Sequence, residues 1–228
     1  MALNLVASVQ GATEAPASRG ASDLIGALLR ADGGANHPYI ACHIFAGGRD
    51  AARNLADAVH YLCTLHGGHP GIIDLARERG GFEPAAEWLD TAAAAFAEER
   101  AYLTRVVVAA GPLPSTAGQA ASQAAVSAQR HALEMLARSD RTGCAIGAAI
   151  ALALDWRAIR TVIDAAAQRF GVPLTPPALP SSRLSFAVAA AAVPPVERAM
   201  VFGAQQMLVQ HRGLWDLLEA RQVARFGQ

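Results

Sequence analysis

The side chains of this 228-residue chain that could do chemistry are a few histidines and carboxylates set among apolar residues. Stepping about 100° per residue around a helix sorts them by face. His211 falls near the centre of a face made by Met200, Val201, Ala204, Met207, Leu208, Leu214, Trp215 and Leu218. His66 falls near the stripe of Leu55, Ala58, Val59 and Leu62, provided that helix reaches it. His131 shares a line with Ala117, Ala120, Ala124, Ala128 and Met135, where small neighbours leave room, and Glu134 sits three residues on at the edge of the same face. Glu99 flanks the stripe Leu89, Ala92, Phe96, Leu103 and Val107, beside Trp88 and Val106. A desolvated carboxylate must be paired, hydrogen-bonded or coordinated, and an imidazole on an apolar face is either satisfied by a hydrogen bond or ligates a metal. Helix-bundle metal sites are built from inward carboxylates and histidines on different helices. His66, Glu99, His131, Glu134 and His211 are therefore the candidate ligand set for iron, manganese or zinc. The competing reading is a set of satisfied core groups and ion pairs, with Arg100 as a local partner for a neighbouring acid.

Other spacings carry less. Asp57 and His60 form an Asp-x-x-His pair, but both fall opposite the apolar stripe of their helix, as a solvated contact would. The run His66-Gly67-Gly68-His69-Pro70 is a helix-to-helix corner that could also hold a metal or an anion at the next helix start. There is no Gly-x-Ser-x-Gly elbow, Walker loop or dinucleotide fingerprint. Cys42, Cys63 and Cys144 are odd in number and form no CxxC pair, which argues against a disulfide framework or a zinc ribbon and for small core residues. Burial of His211 should lower its pKa unless a carboxylate such as Glu99 reaches it.

The elements that must position these groups are helices. The composition is 53% hydrophobic and 17% charged, and about a quarter of the residues are alanine, the strongest helix former. β-Branched runs are scarce, the longest being Val106 to Val108. Caps, glycines and prolines divide the chain into segments at about 22–30, 50–65, 71–78, 84–110, 115–139, 142–154, 155–170, 185–192 and 195–226. Ser22, Ser115 and Asp155 read as N-caps. The segment 142–154 is apolar nearly all round and belongs in the middle of a bundle. Within it Gly143 and Gly147 lie four apart, where missing side chains let a neighbour approach. The expectation is an all-α, single-domain bundle of about seven helices with a hydrophobic central helix near 142–154, spanning residues 22–228 behind a flexible N-terminal tail, 1–21. A chain of this length buries roughly 70% of the surface its unfolded form exposes and needs no metal or disulfide to fold.

The 19 basic residues, all arginine, balance 19 acidic ones. No basic run interleaved with aromatics appears, so the electrostatic footprint of nucleic-acid binding is missing. The N-terminus lacks the basic start and sustained apolar core of a signal peptide. The most apolar stretch, Cys144 to Leu154, is about half the length of a membrane span. A soluble, cytoplasmic protein is expected.

Through its helical hairpins, the inward Glu99, and the pairs Asp57 with His60 and His131 with Glu134, the chain resembles ferritin-like di-iron bundle proteins across roughly residues 50–170. That family uses two Glu-x-x-His pairs, whereas here one pair has aspartate and the other places histidine first. The resemblance implies a bundle holding metal on inward side chains. Two functions follow from the sequence. One is a module that binds a partner protein or a second copy of itself through a spare apolar face of the last helix, with Met200, Met207 and Trp215. The other is a metal-binding bundle or enzyme using the inward His and Glu side chains.

Overall fold

A computed structural model describes residues 20–41, 45, 47–48 and 50–226. Nine α-helices and no strand occur among them: α1 (Ala21–Asp32), α2 (Pro38–Ala41), α3 (Ala51–His66), α4 (Ile72–Arg79), α5 (Ala86–Ala110), α6 (Gln119–Ala137), α7 (Cys144–Phe170), α8 (Ser182–Ala190) and α9 (Pro194–Phe226). The all-α architecture follows from the alanine-rich composition and the breakers between segments; the count is nine, above the expected seven, with the segments 142–154 and 155–170 joined in α7 and a short extra helix, α2, in the Gly-rich loop after α1. No described helix is long and apolar enough to cross a membrane. Of the expected tail, residues 1–19 lie outside the described residues, while Ala21 already belongs to α1 and is buried. Cys42 also lies outside them; Cys144 is buried and Cys63 half-buried.

The expected central segment is the first half of α7, in which every residue from Cys144 to Ala153 is buried. The helix does not end there. No glycine or proline interrupts the sequence between Gly147 and Gly171, so nothing stops the backbone at Asp155, and the first residue able to do so is Gly171, which adopts φ +73° beyond Phe170. Asp155 is therefore not an N-cap but a carboxylate in the middle of a 27-residue buried helix.

Around α7 the long helices stack in register. α9 runs parallel to it, and the two backbones touch: a Cβ built on Gly147 would lie 1.8 Å from the Met200 carbonyl oxygen, and one on Gly203 1.9 Å from that of Cys144. The pair expected to admit a neighbour, Gly143 and Gly147, does so, with Val196 and Met200 as the neighbours. α3 lies antiparallel to α9, so that His66 meets His211 at one level and Asp57 meets Arg221 at another. α5 lies alongside α7, joined by Glu99 to Arg160 and Tyr102 to Asp164. Met200, Met207 and Trp215, expected to offer a spare apolar face on α9, are fully buried. The core takes up that face because α9 is covered by α7 on one side and by α3 and α6 on others.

Two further faces differ from the sequence reading. Asp57 is 0% exposed, not solvated, because α3 is covered on more than its apolar stripe. There Arg221 forks onto both Asp57 oxygens at 3.1 Å, and Arg225 joins the same carboxylate. His60 does not pair with it; its Nε2 meets the Gly111 carbonyl at 2.7 Å. On α6 the buried line runs through Val126, Leu133 and Ala137, not through His131 and Met135, which are exposed. Alanine contributes little burial on any face, so the two bulky residues, seven apart, decide which side of α6 turns inward.

Candidate functional site

Three buried side chains meet where α3 ends against the middles of α7 and α9. His211 Nδ1 lies 2.6 Å from Asp155 Oδ2, and His211 Nε2 lies 2.9 Å from His66 Nε2. The other Asp155 oxygen accepts the Gly34 backbone N–H at 2.7 Å. His211 is 1% exposed, Asp155 3% and His66 6%. The rings of Phe96 and Trp156 stand edge-on to His66, with centroids at 6.5 and 5.7 Å. The local sequence explains each position. His66 is the last residue of α3 because Gly67 and Gly68 follow; Asp155 and Trp156 sit mid-helix on α7; Gly34 approaches because any side chain there would press on Asp155 and Trp215.

The proton arrangement follows from the donors. Ionised Asp155 can only accept, so His211 Nδ1 carries a proton. Burial, reinforced by the neighbouring His211, holds the His66 imidazole well below its usual range, so His66 is neutral at neutral pH. Two states satisfy the contact between the rings. In one, both rings are neutral and His66 Nε2–H donates to His211. In the other, His211 is an imidazolium bonded to Asp155 and donates to His66 Nε2, while His66 carries its own proton on Nδ1. They differ by one proton. A proton arriving at His66 Nδ1 passes the Nε2 proton across 2.9 Å and leaves the charge on His211, opposite Asp155.

His66 also lines a cavity of about 30 Å³, room for about two waters. Its other walls come from the corner residues Gly68, Pro70 and Gly71, from Ile72 and Leu75 of α4, and from Phe96, Leu133 and Leu152, with Arg130 and Glu134 of α6. His66 Nδ1 makes no hydrogen bond to a described residue and is not among the fully enclosed atoms lacking one.

The five residues proposed from sequence do not gather in one place. His66 and His211 meet. Glu99 is buried but engaged elsewhere: Arg160 Nη1 donates to its two oxygens at 2.9 and 2.8 Å, Trp156 Nε1 at 3.0 Å and the Ala178 backbone N–H at 2.8 Å. The carboxylate that reaches His211 is thus Asp155, with Glu99 one residue away across Trp156. Arg100 pairs with Asp74 at 2.9 Å. His131 is 73% exposed and lies 3.9 Å from Glu134, whose other oxygen is bonded by Arg130. Among the described residues, the His, Cys, Asp and Glu side chains close enough to share an ion are His37, Asp216 and Glu219. There His37 Nδ1 accepts the Tyr39 N–H at 3.2 Å, so its Nε2 carries the proton and donates to Asp216 at 3.0 Å. Iron, manganese or zinc would need a third ligand at the first place, where two nitrogens lie 2.9 Å apart, and loss of the Nε2 proton at the second.

Asp155 is the residue that sequence reasoning missed. The available signal was the absence of a breaker before Gly171, which puts it in a continuous apolar helix, where it has the same need for a partner as Glu99.

The model of the family of unknown function DUF6975 matches residues 29–226. The chain belongs to this family, and the matched region contains every residue of the Asp155, His211 and His66 array. No curated protein and no solved structure matches the chain significantly.

Proposed function

We propose that this protein carries an acid–base site in which His66 exchanges a proton with a molecule held in the adjacent cavity, while His211 and Asp155 position His66 and hold the charge. The observation that supports it most is the unbroken chain of contacts at 2.6 and 2.9 Å through two buried rings to a buried carboxylate. A carboxylate bonded to the far nitrogen of an imidazole fixes its tautomer and favours its protonated form. A buried imidazole has a donor and an acceptor nitrogen to satisfy; His66 satisfies Nε2 and leaves Nδ1 without a partner among the described residues, in a side chain that lines a cavity.

The docking of a partner protein or a second copy gains nothing from Met200, Met207 and Trp215, which lie in the core. A metal-binding role would need a third ligand at His66 and His211, and Glu99, His131 and Glu134 do not supply it.

Titration of the histidine rings by NMR, in the wild type and in Asp155→Asn, tests the proposal. The wild-type pair should take up one proton as a unit, and the substitution should lower its proton affinity by about 1 to 3 pH units, as loss of an adjacent opposite charge does. Two independent titrations near 6.5, or an unchanged profile in Asp155→Asn, would overturn it.

A further inference from the structure

We propose that the cavity beside His66 binds the carboxylate head of a small organic acid, and that the His66–His211 pair takes up one proton when it binds. This rests on the acid–base reading above and names what the site accepts. Three kinds of donor border the cavity. Ile72 N–H, in the first turn of α4, has no hydrogen-bond partner among the described residues, since Asp74 takes only the Gly71 N–H. Arg130 bonds Glu134 through Nε, which leaves its two terminal nitrogens free to donate, and it lies so close over the corner that a Cβ on Gly68 would be 3.2 Å from its Nη2. His66, more than nine-tenths buried, brings Nδ1, which has no hydrogen-bond partner among the described residues. Helix N-termini and arginine forks are oxyanion donors; Leu65, Leu75, Phe96, Leu133 and Leu152 make the apolar walls, and the one acid in the lining, Glu134, is bonded by Arg130 at 3.1 Å. A volume of about 30 Å³ admits a head group of a few atoms, not a large ligand.

The proton requirement follows from charge. With both rings neutral, Asp155 is a buried anion without a cation, and a second anion at His66 would be repelled. With one proton added, the array of Asp155, His211 and His66 is neutral, and His66 presents Nδ1–H to the carboxylate. The other charged groups facing this space compensate one another: Arg130 with Glu134 at 3.1 Å from α6, and Asp74 with Arg100 at 2.9 Å and His69 at 3.8 Å from the corner, α4 and α5. The incoming carboxylate therefore draws its balancing proton from solvent, onto the relay.

The test is calorimetric titration of the full chain with acetate in two buffers of different ionisation enthalpy, with the histidine resonances recorded alongside. Acetate should bind with uptake of about one proton near neutral pH, tighten about tenfold per unit fall in pH, and shift His66. Arg130→Gln, at a half-exposed position that tolerates change, should weaken binding about tenfold or more, as loss of a charge-assisted hydrogen bond does. No binding of acetate, binding without proton uptake, or binding unaffected by Arg130→Gln would each overturn the proposal. A free protein that titrates as one unit but ignores acetate sinks the carboxylate site alone, whereas independent titration of the two rings sinks the relay beneath it.

Discussion

Replacing Gly147 by alanine should be among the most damaging single-methyl changes this protein can suffer. At an ordinary interior helix position the substitution stabilises by about 0.5 to 1 kcal/mol, because alanine restricts the unfolded chain and favours helix. Here the new Cβ would lie 1.8 Å from the Met200 carbonyl oxygen, 2.5 Å from its carbon and 2.6 Å from its Cα. All three are backbone atoms of α9, so no rotamer change relieves the clash. Restoring a contact of about 3.0 Å or more requires the two helices to part by about 1 Å along their most buried seam, loosening the packing on both sides. Overpacking of a well-packed core costs about 1 to 3 kcal/mol and occasionally more; with backbone on both sides, a net loss of about 3 kcal/mol is expected, or roughly 6 to 12 °C in Tm for a chain of this size. Gly203→Ala should behave alike, since its Cβ meets the Cys144 carbonyl oxygen at 1.9 Å. Gly213→Ala is the control: it meets only the end of the Gln129 side chain, at 2.7 Å, which can swing away, so stability should be held or improved. Urea denaturation of the three variants provides the comparison. A cost below about 1 kcal/mol for Gly147→Ala would refute the close approach of α7 and α9 that sets Asp155 against His211.

Ile150→Ala, at a fully buried position of α7, should cost about 2 to 5 kcal/mol in the same assay; a loss below about 0.5 kcal/mol would place this helix outside the core. Glu99→Gln should cost about 1 to 3 kcal/mol, because buried Arg160 keeps only Asp164, at 2.8 Å, as its counter-charge, and a neutral result would mean that water reaches the pair. His66 is held neutral in the fold while the unfolded chain takes a proton on it near pH 6.5, so the unfolded state binds more protons below that pH. The stability it contributes is intact above about pH 6.5 and falls with pH below it, by up to about 1.4 kcal/mol per unit. His66→Asn should flatten that slope in denaturation curves between pH 4.5 and 7.5, and an unchanged slope would contradict its burial in the neutral form.

Helix content and the central position of residues 144–153 were legible in the sequence because propensity, breakers and an unbroken apolar segment agreed. So was the burial of His211 and Glu99, each flanked at helical spacing by large apolar residues. What failed was the reading of faces where residue size gave no contrast or where a helix is covered on several sides. On α6, alanines surround His131 as closely as they surround the buried line, so periodicity alone could not choose. On α3, Asp57 looked solvated because only one apolar stripe was visible, while the arginines that satisfy it come from 164 and 168 residues further along the chain. Asp155 reads as a helix start because an aspartate beside an apolar run is a common N-cap signal. Its partner lies 56 residues away on α9, and that pairing depends on the glycine contacts that set the register of two parallel helices.

The proposed acid–base site requires that His66 and His211 share a proton between their Nε2 atoms, with Asp155 behind. Nitrogen-15 NMR on histidine-labelled protein at neutral pH addresses it directly, by a scalar coupling carried across an N–H···N hydrogen bond. A coupling between the two Nε2 resonances is expected, with His211 protonated on Nδ1, and it should be lost in His66→Asn. Two rings with solvent-exchanging Nε2 protons and no coupling between them would contradict it.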